Sequence, residues 1–231
     1  MAIKVLKFGG SSLADASQFK RVAQIIKSDP ERRYIVASAP GKRNSFDVKI
    51  TDMLYQCYEL AENDEDFSDI FKQIEERYNG IIKDLGIDLD LADTFIKINM
   101  AMHNNSGRDY IASRGEYLNA KILAKYLGFD FIDAKKIIFF NENGSFNPDK
   151  TNDTVAAFLQ KSEYAVIPGF YGSMPNGTIK TFSRGGSDIT GSIVARAARA
   201  SVYENWTDVS GFLKAAPNYI SNPKVINTIT Y

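Results

Sequence analysis

The stretch Ile3-Lys4-Val5-Leu6-Lys7-Phe8-Gly9-Gly10-Ser11-Ser12 decides the fold, because it passes from a short apolar strand into a glycine turn. Apolar residues then recur at helical spacing over residues 19–26, after a capping region at residues 15–17. We expect a second strand at residues 33–39, ended by Pro40-Gly41. A strand, a helix and a second strand form a β-α-β unit, which crosses over right-handed and builds a parallel sheet.

The rest of the chain alternates strands and helices around one long helical excursion. That excursion, at about residues 50–127, contains breaks near residues 63–66, 86–90 and 104–107. Outside it we expect strands at residues 129–132, 136–140, 164–170, 178–181 and 202–207, and helices at residues 151–161 and 187–199. The alternation predicts an α/β fold, a three-layer α/β/α sandwich with a mainly parallel central sheet.

The composition excludes several functional classes. The 231 residues carry 28 Lys and Arg against 28 Asp and Glu, so no excess of positive charge indicates a nucleic-acid partner. Cys57 is the single cysteine and His103 the single histidine, so we expect neither a disulfide framework nor a protein-only zinc site. With no apolar run long enough for a membrane span or a signal peptide, we expect a cytoplasmic protein with small-molecule partners.

The first candidate site is the loop that follows the first strand. Gly9 and Gly10 let the backbone turn sharply and present N–H groups to an anion, and Lys7 adds a full positive charge. The order differs from the common P-loop, which places its lysine after the glycines. A plain strand-to-helix turn would use the same two glycines, so that alternative stays open.

The second candidate site repeats this logic at residues 183–188. Gly185 and Gly186 precede a helix, so its first amides face an anion, and Arg184 can bind a carboxylate or phosphate with two hydrogen bonds. Asp188 would orient Lys7 or Mg²⁺. An acidic residue in a first helical turn also serves the helix dipole, which is the structural alternative.

Two further segments carry polar residues at positions typical of binding sites. We expect residues 113–117 to open or interrupt a helix, where Glu116 is either a solvated helix charge or, beside a glycine, an acceptor for an ammonium group. Thr207 and Asp208 follow a strand, where α/β sheets bind a nucleotide base or ribose. A strand-end turn capped by Asp208 is the alternative.

Five segments stand in a fixed order along the chain: residues 7–12 (KFGGSS), 36–39 with 49–52, 113–117 (SRGEY), 183–188 (SRGGSD) and 206–211 (WTDVSG). Together they resemble the amino acid kinase superfamily and, within it, the aspartate kinases. Each segment is weak alone, but five in this order and spacing cover essentially the whole chain.

The resemblance implies ATP-dependent phosphorylation of the side-chain carboxylate of L-aspartate to 4-phospho-L-aspartate, the first step toward lysine, threonine and methionine. It implies catalytic roles for Lys7, Arg184 and Asp188, with Mg²⁺ carried by the nucleotide. The implied ATP contacts are Lys7, Phe8, Gly9, Gly10, Ser11, Gly186, Ser187, Thr207, Asp208 and Leu213. The implied aspartate contacts are Glu116 for the ammonium group and Ser38, Thr51 and Arg184 for the carboxylates.

The chain departs from the family pattern near its end. Ala216 and Asn218 stand where the family commonly has an acidic residue and an arginine, although Lys214 lies close enough in sequence to substitute the charge. The chain stops at Tyr231, before a segment that usually contacts ATP and before the paired ACT domains that usually bind feedback inhibitors. We expect residues 1–231 to be a C-terminally incomplete catalytic domain without ACT domains, from a protein that is a homo-oligomer when intact.

Two other functions stay open. Glutamate 5-kinase, acetylglutamate kinase and nucleoside monophosphate kinases share the superfamily sheet, but Glu116 and the helical excursion favour a free amino acid. A non-catalytic nucleotide-binding remnant would account for Ala216, Asn218 and the early end.

Overall fold

The structure, a computed structural model, describes residues 2–183, 185–207, 211, 220–221 and 223–224. Its elements in chain order are β1 (Lys4–Phe8), α1 (Ala16–Lys27), β2 (Arg32–Ala37), α2 (Ile50–Glu62), α3 (Ser68–Leu85), α4 (Ala92–His103), α5 (Arg108–Leu127), β3 (Asp130–Phe131), α6 (Pro148–Leu159), β4 (Ala165–Pro168), β5 (Tyr171–Ser173), β6 (Ile179–Thr181), α7 (Gly186–Ala197) and β7 (Val202–Trp206). Short 3-10 turns occupy Ser11–Leu13 and Ala134–Lys136.

Five of the described strands form one parallel sheet in the order β3-β4-β2-β1-β7. Its central strands end in register, because Phe8 pairs with Ala37 and with Trp206, and Ala37 pairs with Pro168. Strands β5 and β6 form a separate antiparallel pair. The loops that follow β1, β2, β4 and β7 therefore leave the same edge of the sheet.

Alternating residues of each strand enter two different hydrophobic cores. Leu6 and Phe8 of β1 pack into a core shared with α1 to α5, whereas Val5 packs into a core shared with α6 and α7. Strands β2 and β4 divide their side chains in the same way, since a strand points successive residues to opposite faces. The three-layer α/β/α sandwich with a parallel central sheet is confirmed.

The helical excursion is also confirmed, as the four helices α2 to α5. The expected breaks fall between them, and Gly86 ends α3 in the left-handed conformation at φ 65°. Among the described residues, no helix combines the length and the apolar character needed to cross a membrane.

Two local predictions were wrong. Residues 136–140 do not form a strand: Ile137 and Ile138 are consecutive and both fully buried in the α6–α7 core, so their apolar character reflects an irregular buried connection. The Arg-Gly pair at Arg114 and Gly115 does not open or interrupt a helix, because it lies within α5. Gly115 instead allows close packing, since a Cβ there would lie 2.8 Å from the Cβ of Ala39.

Candidate active site

A cavity of about 1330 Å³ opens at the carboxyl ends of the parallel strands. It brings together segments far apart in the sequence, as expected of a ligand site in an α/β sheet. Its lining includes Lys7, Ser38, Lys49, Thr51, Asp52, Tyr55, Arg108, Phe140, Gly144, Phe146, Phe170, Lys180, Thr181, Phe182, Ser183, Gly185, Gly186, Ser187 and Asp188. Among these described residues, four cations outnumber two carboxylates, so the cavity favours an anionic ligand.

Lys7 reaches the cavity because of its register in β1. Leu6 and Phe8 point to the other face of the sheet, so Lys7 points toward α7. The Lys7 Nζ lies 2.9 Å from Oδ1 of Asp188, and the lysine side chain is only 11% exposed. The structure thus joins the two loops of residues 7–12 and 183–188 through one ion pair.

The loop after β1 differs from the expected phosphate cradle. The Gly9 amide donates to the Trp206 carbonyl at 3.1 Å, so it is not available to a ligand. The helix after the glycines does not begin there, because a 3-10 turn intervenes and α1 starts only at Ala16. Its N-terminus is already capped by the Asp15 side chain, which accepts from the Gln18 amide. The amides of Gly10 and Ser11 donate to no described residue and remain for an anion.

Gly10 is required by close contact, not by its backbone conformation. Its φ of −61° suits any residue, but a Cβ there would lie 2.8 Å from the Ala39 carbonyl oxygen. The reciprocal Cβ on Gly41 would lie 2.6 Å from the Gly10 carbonyl carbon, and the Gly41 amide donates to the Gly10 oxygen at 2.8 Å. The loops after β1 and β2 are therefore packed backbone against backbone.

The loop before α7 has the helix N-terminus that the first loop lacks. Gly185 caps the helix at φ 75°, a left-handed conformation that favours glycine. Gly186 packs closely on Phe170, since a Cβ there would lie 2.6 Å from the phenyl ring. The amides of Gly186 and Ser187 donate to no described residue, and the α7 N-terminus lines the cavity. Such a terminus fits a phosphate group.

Asp188 is held in place from two sides. Its Oδ1 accepts from Lys7 and from the Asn205 Nδ2 at 3.0 Å, whereas Oδ2 accepts from no described residue. The described residues contain no group of three or more His, Cys, Asp and Glu side chains that would hold a metal ion unaided. One carboxylate at a helix N-terminus does fit Mg²⁺ that takes its other ligands from phosphate and water.

Glu116 is not a solvated helix charge, because it is 6% exposed on α5. Burial raises its pKa to about 8, although the Ala39 amide donates to its carboxylate and opposes the shift. Its Oε2 is buried without a hydrogen-bond partner among the described residues. A buried oxygen without a donor is costly, so a cationic ligand at this point would be stabilised.

Ser38 and Thr51 line the cavity, whereas Glu116 does not line it and accepts a hydrogen bond from the amide of Ala39, the neighbour of Ser38. The Ser38 amide donates to the Phe8 carbonyl at 3.2 Å, and its own carbonyl accepts from the Asn119 Nδ2 at 2.7 Å. Thr51 lies in the first turn of α2. These bonds fix the strand-end backbone and leave both hydroxyls beside the cavity.

Several predicted residues lie elsewhere. The Phe8 ring is fully buried and stacks on Trp206 at 6.0 Å, so this side chain belongs to the core and cannot contact a ligand. Gly9, Gly10 and Ser11 lie beside the cavity without lining it, and Thr207 is exposed after β7. Arg184, Asp208 and Leu213 lie outside the described residues, as do Lys214, Ala216 and Asn218.

Sequence reasoning missed some residues that the fold brings to this site. Asn205 lies in the strand expected at residues 202–207, but no motif indicated that its amide would hold Asp188. Arg108 and Tyr55 stack at 3.9 Å on the cavity wall, and Lys180 reaches the wall from β6. Their positions depend on helix and hairpin packing, which local patterns do not encode.

Comparison with known proteins agrees with this geometry. The model of the amino acid kinase family matches residues 2–231. Aspartokinase 3 of Bacillus subtilis is 34% identical over 99% of this chain and 54% of its own length. The crystal structure of Clostridium acetobutylicum aspartate kinase superposes with a TM-score of 0.91 at 53% identity, covering 97% of this chain and 52% of that one.

A more distant structure shares the fold. Escherichia coli aspartokinase III, solved in complex with aspartate and ADP, matches with a TM-score of 0.83 at 24% identity, over 97% of this chain and 53% of that one. The chain thus spans about half the length of these relatives. By its sequence, its sheet and its cavity, the chain belongs to the amino acid kinase family.

Proposed function

We propose that this chain carries the catalytic machinery of an aspartate kinase, which transfers the γ-phosphoryl group of ATP to the side-chain carboxylate of L-aspartate. The observation that carries the proposal is the buried, unpartnered Oε2 of Glu116, whose carboxylate accepts from the amide of Ala39, the neighbour of Ser38 on the wall of the cation-rich cavity. A free amino acid supplies both an ammonium group for that oxygen and carboxylates for the cations. The aspartate kinases of Bacillus subtilis and Clostridium acetobutylicum support this choice over other acceptors.

On the nucleotide side, Lys7 is the principal group for binding the phosphates of ATP. Its ammonium would neutralise the phosphate charge that develops during transfer, while the α7 N-terminus at Gly186 and Ser187 would bind phosphate oxygens. The amides of Gly10 and Ser11 add donors at the edge of the cavity. By family resemblance we assign Thr207 and Asp208 to the adenosine and Leu213 to the nucleotide.

On the acceptor side, Glu116 would bind the ammonium group of aspartate. Ser38 and Thr51 on the wall, with Arg184, would hold its carboxylates. The reacting carboxylate is already a nucleophile at neutral pH, so the protein needs to supply only alignment and charge compensation. This accounts for a site built without a catalytic histidine or cysteine.

Asp188 would orient Lys7 and hold Mg²⁺ together with the nucleotide. Its Oδ1 is committed to Lys7 and Asn205, which leaves Oδ2 for the metal. Bound Mg²⁺ would supply additional neutralisation of the phosphate charge. We further propose that residues 1–231 form the catalytic domain of a longer protein, because the matched relatives are about twice as long. By family resemblance we propose that the intact protein carries ACT domains and is a homo-oligomer.

The test is the release of ADP from Mg²⁺-ATP in the presence of aspartate, glutamate or UMP, with trapping of the acyl phosphate by hydroxylamine. We expect turnover with aspartate alone. Turnover with glutamate alone would reject the aspartate assignment and retain an amino acid kinase. Binding of ADP by calorimetry without turnover on any acceptor would reject the catalytic function and favour a nucleotide-binding remnant.

A further inference from the structure

Arg77 of α3 is a buried arginine that the proposed reaction does not use. It is 8% exposed, and its guanidinium makes hydrogen bonds in three directions. Nη2 donates to the carbonyls of Ala14 and Gly41, both at 2.8 Å, and Nε donates to Ala14 at 3.2 Å. Nη1 lies 2.8 Å from Oδ2 of Asp47.

These acceptors belong to the two loops that flank the site. Ala14 ends the 3-10 turn that follows Gly10, on the phosphate side. Gly41 is the residue packed against Gly10 after β2. Asp47 lies in the segment that leads to Thr51, on the acceptor side.

Burying a guanidinium costs free energy. Here that cost is compensated because Nε, Nη1 and Nη2 of Arg77 each meet an acceptor. Two of those acceptors are backbone carbonyls, so the bonds fix main-chain positions and not merely side chains. Among the described residues, no other side chain of α3 makes hydrogen bonds to both loops. The planar guanidinium presents its N–H donors in fixed directions and can therefore bind both loops at once, which a lysine ammonium cannot reproduce.

We propose that Arg77 is a positioning residue that fixes the loop after β1 and the loop after β2 relative to each other, and so aligns phosphoryl donor and acceptor. The alignment part of this inference rests on the proposed function. The claim that Arg77 links the two loops does not rest on the proposed function, because it concerns only the hydrogen bonds that hold them. Phosphoryl transfer depends on alignment, so a small displacement of either loop carries a large kinetic cost.

Asp47 provides an internal control because it has a second partner. The Arg43 Nε lies 2.8 Å from the same Oδ2, and the Arg43 side chain is 49% exposed. Hydrogen bonding by Arg43, with the charge of Arg77, holds the pKa of Asp47 well below its usual range, so the carboxylate is ionised. Removing Arg43 leaves every bond of Arg77 in place.

The experiment measures hydrogen exchange of the full chain in peptides covering residues 9–14 and 41–50, with kinetics in parallel. In Arg77→Lys we expect exchange to rise about tenfold or more in both peptides and kcat/KM for aspartate to fall about 100-fold. Asp47→Asn, which retains the carbonyl bonds of Arg77, should loosen residues 41–50 alone. Arg43→Met should match wild type in both peptides and in kcat/KM.

A lower melting temperature of Arg77→Lys with unchanged exchange in both loops would show a merely structural role and overturn the proposal. Loosening of only one loop in that variant would overturn it equally. If Arg77→Lys does not fold, Asp47→Asn provides the test of the proposal. An equal rise in hydrogen exchange in residues 9–14 and 41–50 of that variant would contradict the assigned bonds. Absence of aspartate turnover in wild type would reject the proposed function, while the exchange data would still test the link between the loops.

Discussion

The loops after β1 and before α7 each contain two consecutive glycines beside the same cavity, but they are built differently. The first supplies Lys7 and lies against Gly41, while its helix begins later and is capped by Asp15. The second supplies a helix N-terminus and Asp188, and Gly185 has the left-handed conformation. Gly10 in the first loop is required by contact with its neighbours, whereas Gly185 in the second is required by its own backbone conformation, although Gly186 beside it also packs on Phe170.

This difference shows why similar glycine motifs need not do the same work. A glycine that permits close contact depends on a partner far away in sequence, here Gly41. A glycine that permits positive φ depends only on the local chain. Substitutions in the two loops should therefore lower stability or activity for different physical reasons.

Lys7→Ala should have the largest effect, because it removes the charge that joins the two loops through Asp188. We expect kcat for aspartate phosphorylation to fall about 1,000-fold, as when a preorganised electrostatic donor is lost. Asp188 keeps its bond to Asn205, so the fold should persist. Steady-state kinetics with a thermal melt would measure both.

Lys4→Ala is the matched control for this change. Lys4 lies on the same strand and also pairs with an aspartate, Asp29, at 2.6 Å, but at the opposite end of the sheet. Its loss should alter kcat less than twofold. Similar losses in the two variants would mean that Lys7 matters to the strand and not to the chemistry.

Much of this arrangement was predictable from the sequence, and the limits have physical causes. The periodicity located the helices of the excursion, and the order of motifs indicated that Lys7 and Asp188 would meet. What periodicity missed was packing: it could not show that Gly9 donates its amide to Trp206, or that Ile137 and Ile138 are buried outside any strand. Arg184, Asp208 and Leu213 stay predictions, because they lie outside the described residues.

Glu116→Gln should raise the KM for aspartate by about 10- to 100-fold, because it removes the charge that pairs with the ammonium group. The KM for ATP should change little. In wild type, the KM for aspartate should fall as the pH rises toward about 8, where the Glu116 carboxylate ionises. The variant should lose this dependence, and a pH dependence that survives the substitution would contradict the assigned contact.

The buried Glu116 should also make the stability of the protein depend on pH. Burial raises the pKa of Glu116 from 4.5 to about 8, so the folded protein holds this proton where the unfolded chain releases it. Its contribution to stability is therefore complete below about pH 4.5 and is lost as the pH rises to about 8. Substrate-free wild type should lose melting temperature over this window more steeply than Glu116→Gln.

Gly10→Ala and Gly185→Ala test the two loops directly. A Cβ on Gly10 meets the Ala39 carbonyl oxygen at 2.8 Å, so we expect a loss of about 1–3 kcal/mol in the free energy of unfolding. Among the described residues, a Cβ on Gly185 meets only the Asp188 Oδ2 at 3.7 Å, so the cost, about 1 kcal/mol, comes from its φ of 75°. Denaturant melts of the two variants would compare these costs.

Substitution by asparagine distinguishes close contact from backbone conformation as the cause of the lost stability. It tolerates the left-handed conformation, so Gly185→Asn should be more stable than Gly185→Ala. At Gly10 the conformation is already permissive, and asparagine should be no better than alanine. Rescue by asparagine at Gly10, or its absence at Gly185, would remove the distinction between the loops.

Asp109→Ala should have the smallest effect, a rise of about three- to tenfold in the KM for aspartate. Asp109, in the first turn of α5, accepts from the Thr181 hydroxyl at 2.7 Å and from the Thr181 amide at 3.2 Å. These bonds tie β6, just before the second loop, to the helix that carries Glu116. Because Asp109 is partly exposed, water replaces much of what is lost.

Asp93→Ala serves as the control, since Asp93 is also acidic and in a first helical turn, that of α4, but is exposed away from the cavity. Both substitutions remove the same favourable charge from a helix N-terminus. Only Asp109→Ala releases the hairpin, so only that variant should change the KM for aspartate. Equal behaviour of the two would show that the second loop needs no support from α5 and is held by its own backbone geometry alone.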